Sequence, residues 1–114
     1  MVLTNGVEFN PPSGEKAHLR LRMNGQWITA LLDSGSEHSL LPTWLINRLL
    51  IQPTTQLALA ANGTEIPVLG TITVPVMLGP EHLEMEALVS DDINEPIIGL
   101  NWLAKYDIVW MFQQ

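Results

Sequence analysis

The chain has 114 residues, of which 46% are hydrophobic and 15% charged, a balance that marks one folded domain rather than a disordered segment. Five Lys and Arg stand against twelve Asp and Glu, for a net charge of −7, so no basic stripe is present to bind nucleic acid. The lack of cysteine excludes a disulfide framework, a thiolate nucleophile and a Cys-based zinc site.

Residues 1–16 carry Asn5-Gly6, Pro11-Pro12 and Ser13-Gly14, and read as a flexible or interface-forming leader with room for a short strand at Val7 to Phe9. The domain proper is assigned to residues 17–114. Ala17 to Met23 alternates apolar and polar residues, the pattern of a half-buried strand. Asn24-Gly25 signals a two-residue hairpin, and Trp27 to Leu32 is its second strand. Ser39 to Leu41 reads as a short strand stopped at Pro42, and Thr43 to Leu50 as a short helix with Trp44, Leu45 and Leu49 on one face. Leu57 to Ala60 and Ile66 to Leu69 flank the turn Ala61-Asn62-Gly63-Thr64, which makes a projecting hairpin. Thr71 to Leu78 is a strand whose Pro75 points to an edge or a bulge, and Leu83 to Val89 is another. A loop at Asp91 to Glu95, a buried strand at Pro96 to Ile98, a helical turn or two at Asn101 to Tyr106 and a strand at Ile108 to Phe112 complete the chain. Many short strands with one or two short helices predict an all-β fold, closed or sandwich-like. Strand-then-glycine occurs at Leu31 to Gly35 and again at Ile97 to Gly99, a faint internal echo that fits a pseudo-symmetric domain.

The chemistry-bearing feature is Asp33, which follows Leu31-Leu32 and precedes Ser34-Gly35-Ser36. Apolar residues before it place it at the end of a buried strand, and Ser-Gly after it predicts a sharp turn. An ionised carboxylate there requires hydrogen-bond partners or a function. The plain alternative is an Asp that caps a loop. His18, His38 and His82 are too scattered for a metal-ligand spacing, so no metal and no cofactor is expected. Trp27, Trp44, Trp102 and Trp110 read as core or subunit-interface residues. No apolar run reaches the ~18 residues of a membrane span and the N-terminus lacks a signal-peptide pattern, so an intracellular, soluble protein is expected.

Ala30-Leu31-Leu32-Asp33-Ser34-Gly35-Ser36-Glu37-His38-Ser39-Leu40-Leu41 resembles the active-site signature of retropepsins, and Pro96-Ile97-Ile98-Gly99-Leu100-Asn101-Trp102-Leu103 resembles their C-terminal signature. The resemblance runs over residues 17 to 112 and is closest to proteases of Ty3/gypsy-type retrotransposons and the cellular genes descended from them. Asp-Ser-Gly alone is a weak signal; the two motifs in order and at this distance are a strong one. The family more often has Thr at position 34, Ala at 36 and Asp at 37, and its retroviral branch has Arg where this chain has Leu100.

The resemblance implies a closed retropepsin-like β-barrel with a glycine-tipped flap hairpin. It implies an aspartic endopeptidase of polyprotein or other extended peptide substrates, acting on its own precursor or on another chain, in the cytoplasm or within a virus-like particle. One Asp-Ser-Gly per chain implies a homodimer in which Asp33 of each copy supplies half of a carboxylate pair. Ser34 and Gly35 then support the active-site loop. Ser36, Glu37 and His38 approach the substrate from one side, and Ala61, Asn62, Gly63 and Thr64 from the flap. Gly99 and Asn101 support the core beneath. Two other readings stay open at this level. A domesticated domain keeps the fold as a dimerisation or peptide-binding module with weak catalysis, and an unrelated β-barrel binds small ligands with both motifs coincidental.

Overall fold

The computed structural model describes residues 2–3, 9–13, 16–60 and 62–110, with side-chain surroundings defined for 17–60 and 62–108. Eleven strands and one short helix follow in order: β1 (Val2–Leu3), β2 (Phe9–Ser13), β3 (Lys16–Met23), β4 (Gln26–Leu32), β5 (Ser39–Pro42), β6 (Ala58–Leu59), β7 (Glu65–Ile66), β8 (Gly70–Leu78), β9 (Glu81–Ser90), β10 (Ile97–Ile98), α1 (Leu100–Lys105) and β11 (Val109–Trp110). The main sheet runs β2-β3-β4-β10-β5-β9-β8, and a further β3–β8 pairing at Arg22 and Met77 closes six of its strands into a barrel. The all-β expectation holds.

Alternation writes the barrel wall. Leu19, Leu21 and Met23 from β3 point inward, as do Ile28, Ala30 and Leu32 from β4, Ile72, Val74, Val76 and Leu78 from β8, and Met85, Ala87 and Val89 from β9. Each side chain is at most 9% exposed, so removing one leucine to alanine is worth roughly 2–5 kcal/mol. Trp102 and Leu103 from α1 plug this core, and the Trp102 indole donates to the Glu84 carbonyl at 2.9 Å. A tight turn through Asn24 (φ 53°) and Gly25 (φ 76°) joins β3 to β4, as Asn-Gly predicts. Strand β2 crosses Pro11 and Pro12; it is the outermost strand of the sheet, where a missing N–H costs least.

The two hairpins β3–β4 and β8–β9 are interlocked. Strand β10 lies parallel to β4 (Ile97 beside Leu31) and β5 lies parallel to β9 (Leu40 beside Leu88), while β5 and β10 cross antiparallel at Leu40 and Ile97. The pseudo-twofold therefore relates β3-β4-β5 to β8-β9-β10. Leu31 to Gly35 and Ile97 to Gly99, the segments of the sequence echo, are not its mates; they are sheet neighbours.

One local expectation needs correction. Thr43 to Leu50 is not one helix but two 3-10 turns, Thr43–Leu45 and Arg48–Leu50, separated by Ile46 and Asn47. Only Leu45 of its expected apolar face is buried; Trp44 is 64% and Leu49 88% exposed. The Asn47 side chain accepts from the Leu49 N–H and restarts the chain in the second turn. Of the tryptophans, Trp102 is core, whereas Trp27 and Trp44 are exposed; the Trp110 side chain lies outside the described residues. No helix among the described residues is long and apolar enough to cross a membrane.

Candidate active site

Asp33 leaves the barrel at the end of β4, where its N–H still donates to the Ile98 carbonyl at 2.9 Å. One residue earlier Leu32 is buried; Asp33 is exposed. The chain then turns sharply, with the Ser36 N–H donating to the Asp33 carbonyl (3.0 Å) and the Gly35 N–H donating to the carboxylate Oδ1 (3.1 Å). The turn therefore orients one carboxylate oxygen and leaves the other to solvent. Among the described residues nothing engages the Ser34 hydroxyl, which is exposed.

The loop is held from below by the C-terminal motif. The Leu100 N–H donates to the Ser36 carbonyl (2.7 Å), and the Asn101 N–H donates to that of Glu37 (3.2 Å). The Asn101 side chain accepts from both the Ser39 N–H (2.8 Å) and the Ser39 hydroxyl (2.9 Å), and its amide donates to the Glu86 carbonyl (2.9 Å). Ser39 is fully buried, and its hydroxyl accepts the Gly99 N–H at 3.0 Å. A Cβ at Gly99 would fall on the His38 carbonyl, so only glycine lets β10 pass this close beneath the loop. The sequence separates the Asp33 and Gly99 motifs by more than sixty residues; the parallel pairing of β4 with β10 joins them.

A groove of about 830 Å³ opens above the loop, walled by Asp33, Gly35, Ser36, Glu37 and His38 on one side and by Gln56, Leu57, Ala58, Leu59, Ala60 and Gly63 on the other. The second wall is the β6–β7 hairpin. Ala58 is buried with Leu40 and Leu88, with Ile66 packed against them, and this anchors the hairpin's base on the barrel. Its tip is closed by the Ala60 N–H to the Thr64 carbonyl (2.8 Å) and the Gly63 N–H to the Ala60 carbonyl (2.9 Å). Gly63 has φ 84°, a conformation that favours glycine. Leu57 and Leu59 are each 61% exposed on this wall. A smaller cavity of about 480 Å³ shares Glu37, His38 and Gln56 with the groove and extends to Glu86 and Asn101.

The family model described as "gag-polyprotein putative aspartyl protease" matches residues 19–105. The chain belongs to this family of retroviral-type aspartyl proteases. Among solved structures, the retroviral protease-like domain of Ddi1 from Leishmania major matches at TM-score 0.67 and 20% identity, over 84% of this chain and 77% of that one. EIAV protease complexed with the inhibitor HBY-793 matches at TM-score 0.58 and 22% identity, over 86% of this chain and 94% of that one. At these identities the two structures speak for the fold alone. A search of curated proteins found no significant match.

In this aspartyl protease domain the groove brings together Asp33, Gly35, Ser36, Glu37, His38 and Gly63 from the residues singled out in the sequence. Ser34 stays outside its walls, as do Asn62 and Thr64, which are exposed on the hairpin; the Thr64 N–H donates to the Asn62 side chain at 3.0 Å. Ala61 lies outside the described residues. Gly99 and Asn101 sit beneath the loop and form no wall of the groove, while Asn101 lines the smaller adjoining cavity. Gln56, Leu57, Ala58, Leu59 and Ala60 were not singled out as groove residues. The signal for them was present, since two leucines flank one alanine on the rising arm of a hairpin whose turn was recognised. No group of three or more ligating side chains suited to a metal occurs among the described residues.

Proposed function

We propose that this domain is an aspartic endopeptidase that acts as a homodimer, with Asp33 of two copies forming the catalytic pair. The observation that carries the reading is Asp33 itself: a carboxylate at the floor of an open groove, with one oxygen fixed by the Gly35 N–H. Two such carboxylates brought together cannot both ionise, so they hold one proton between them. The ionised member takes a proton from a water lying between the pair. The hydroxide so formed attacks the scissile carbonyl carbon while the protonated member donates to its oxygen. Collapse of the tetrahedral intermediate breaks the C–N bond, and the amine leaves with a proton from the pair. The exposed Ser34 hydroxyl, which can both donate and accept, is free to meet its mate across the dimer axis.

The groove fits an extended peptide. Its floor is polar and its hairpin wall presents Leu57 and Leu59, a surface for the alternating side chains of a strand-like substrate. The hairpin, anchored at its base and exposed at Asn62 to Thr64, serves as the flap that covers substrate and excludes water. Polyprotein processing, in trans or on the domain's own precursor, is the substrate class in keeping with the family.

The test is incubation of the purified chain with a diverse peptide library at mildly acidic pH, beside an Asp33→Asn control, with sedimentation of both. Cleavage by the wild type that vanishes in the control supports the proposal. A stable dimer that binds library peptides without cutting them replaces it with a peptide-binding or dimerisation module.

A further inference from the structure

Only five cationic Lys and Arg residues occur in the chain, and two of them converge on one exposed tryptophan remote from the Asp33 groove. The Arg20 guanidinium lies 4.8 Å and that of Arg22 5.4 Å from the centroid of the Trp27 ring, and Trp27 is 49% exposed. The stacking holds both guanidinium groups in place, and neither meets a carboxylate among the described residues. Sheet register extends the patch. Trp27 pairs with Arg22, Arg22 with Met77, and Met77 with His82, a row of four outward side chains across β4, β3, β8 and β9. Beside Arg22 this row borders a cleft of about 350 Å³ whose walls include Pro75, Val76, Met77 and Leu83. Glu81 and Glu84 stand with His82 on β9, so the positive area is narrow.

We propose that this face docks a short acidic peptide segment that carries an apolar side chain. Carboxylates of the segment meet Arg20 and Arg22, which present fixed guanidinium forks, and the apolar side chain enters the cleft beside Met77. The occupant follows from charge and shape. A chain of net −7 repels an acidic partner everywhere except where cations are clustered, and two adjacent arginines beside an apolar cleft match a mixed acidic and apolar sequence. A nucleic-acid strand carries a phosphate at every step and would run from this narrow patch onto Glu81 and Glu84.

The test uses the whole 114-residue chain with Asp33→Asn, labelled with nitrogen-15, so that the readout does not depend on turnover. The probe is the peptide acetyl-Glu-Asp-Leu-Phe-Glu-Asp-amide; the comparisons are its counterpart with every acidic residue replaced by Lys, and an oligothymidine. The expected result is amide shifts clustered on β3, β4 and the Met77 to Leu83 turn, weaker at high salt. Arg22→Ala and Trp27→Ala, each with an otherwise unchanged spectrum, should weaken binding about tenfold, and Arg22→Lys should restore it only in part. Equal binding of the Lys peptide, shifts confined to the Asp33 groove, tighter binding of oligothymidine, or no binding would each overturn the proposal. So would dissociation of a dimer of the chain on double substitution of Arg20 and Arg22 by Ala, which would give the face to a second copy.

Discussion

At the scale of single residues, the candidate site divides into a carboxylate that is free and a frame that is not. Asp33 is exposed, and among the described residues its carboxylate accepts one hydrogen bond, from the Gly35 N–H. Asp33→Asn should therefore leave stability within about 0.5 kcal/mol while lowering kcat roughly 10³-fold or more, read by thermal unfolding beside a peptide-cleavage assay. Asn101 is the reverse case. Its side chain ties Ser39 on β5 to Glu86 on β9, and Asn101→Ala leaves the Ser39 N–H and the Glu86 carbonyl short of partners. A loss of about 2–4 kcal/mol in urea unfolding is expected, with a fall in activity as the Asp33 loop loses its floor. At residue 37 the sequence leaves a question that the geometry narrows. Glu37 is exposed, lines both the groove and the adjoining cavity, and its carbonyl is fixed by the Asn101 N–H, so the longer acid changes the groove wall without changing how the loop is held.

At the scale of elements, periodicity decided most of what could be read in advance. The four long strands announce themselves because one face of each lies against the barrel interior and the other does not, which forces a period of two. The segment Thr43 to Leu50 misled for an equally physical reason. Trp44, Leu45 and Leu49 at helical spacing suggest a buried face only if something lies over them, and here Asn47 caps a new turn while Leu49 faces solvent. The β6–β7 hairpin was legible as a hairpin from its Asn-Gly turn, but the role of its rising arm as a groove wall was not, because only the barrel position of Leu40 and Leu88 fixes where the hairpin leans. Leu57 and Leu59 contribute little to the core. Replacing both with Ser should raise KM severalfold for peptide substrates with kcat and unfolding midpoint nearly unchanged, read by steady-state kinetics and by denaturation.

At the scale of the whole molecule, one chain supplies one Asp-Ser-Gly turn, and the proposed chemistry needs two. Mixing wild type with an equal amount of the Asp33→Asn chain, after exchange of subunits, should give about a quarter of the activity of the same total amount of wild type, since only dimers with two intact copies carry the pair. Half the activity would show that each copy works alone. Activity per mole should also fall on dilution below the dimer's dissociation constant, measured by kinetics over a concentration series beside sedimentation.

By itself the sequence determined the strand content, the Asn-Gly turns, the exposed end of β4 at Asp33 and the family, because alternation, turn chemistry and short motifs are local properties that hold wherever the segment sits. The tertiary structure alone decided that Gly99 and Asn101 form the floor of the Asp33 loop, that the hairpins interlock with β10 beside β4, that Gln56 to Ala60 face Asp33 across a groove, and that Arg20 and Arg22 share one exposed tryptophan. These facts depend on which strands become neighbours and in what register. Register is set by burying the inward faces of all six barrel strands at once, a condition that no single segment of the chain can state.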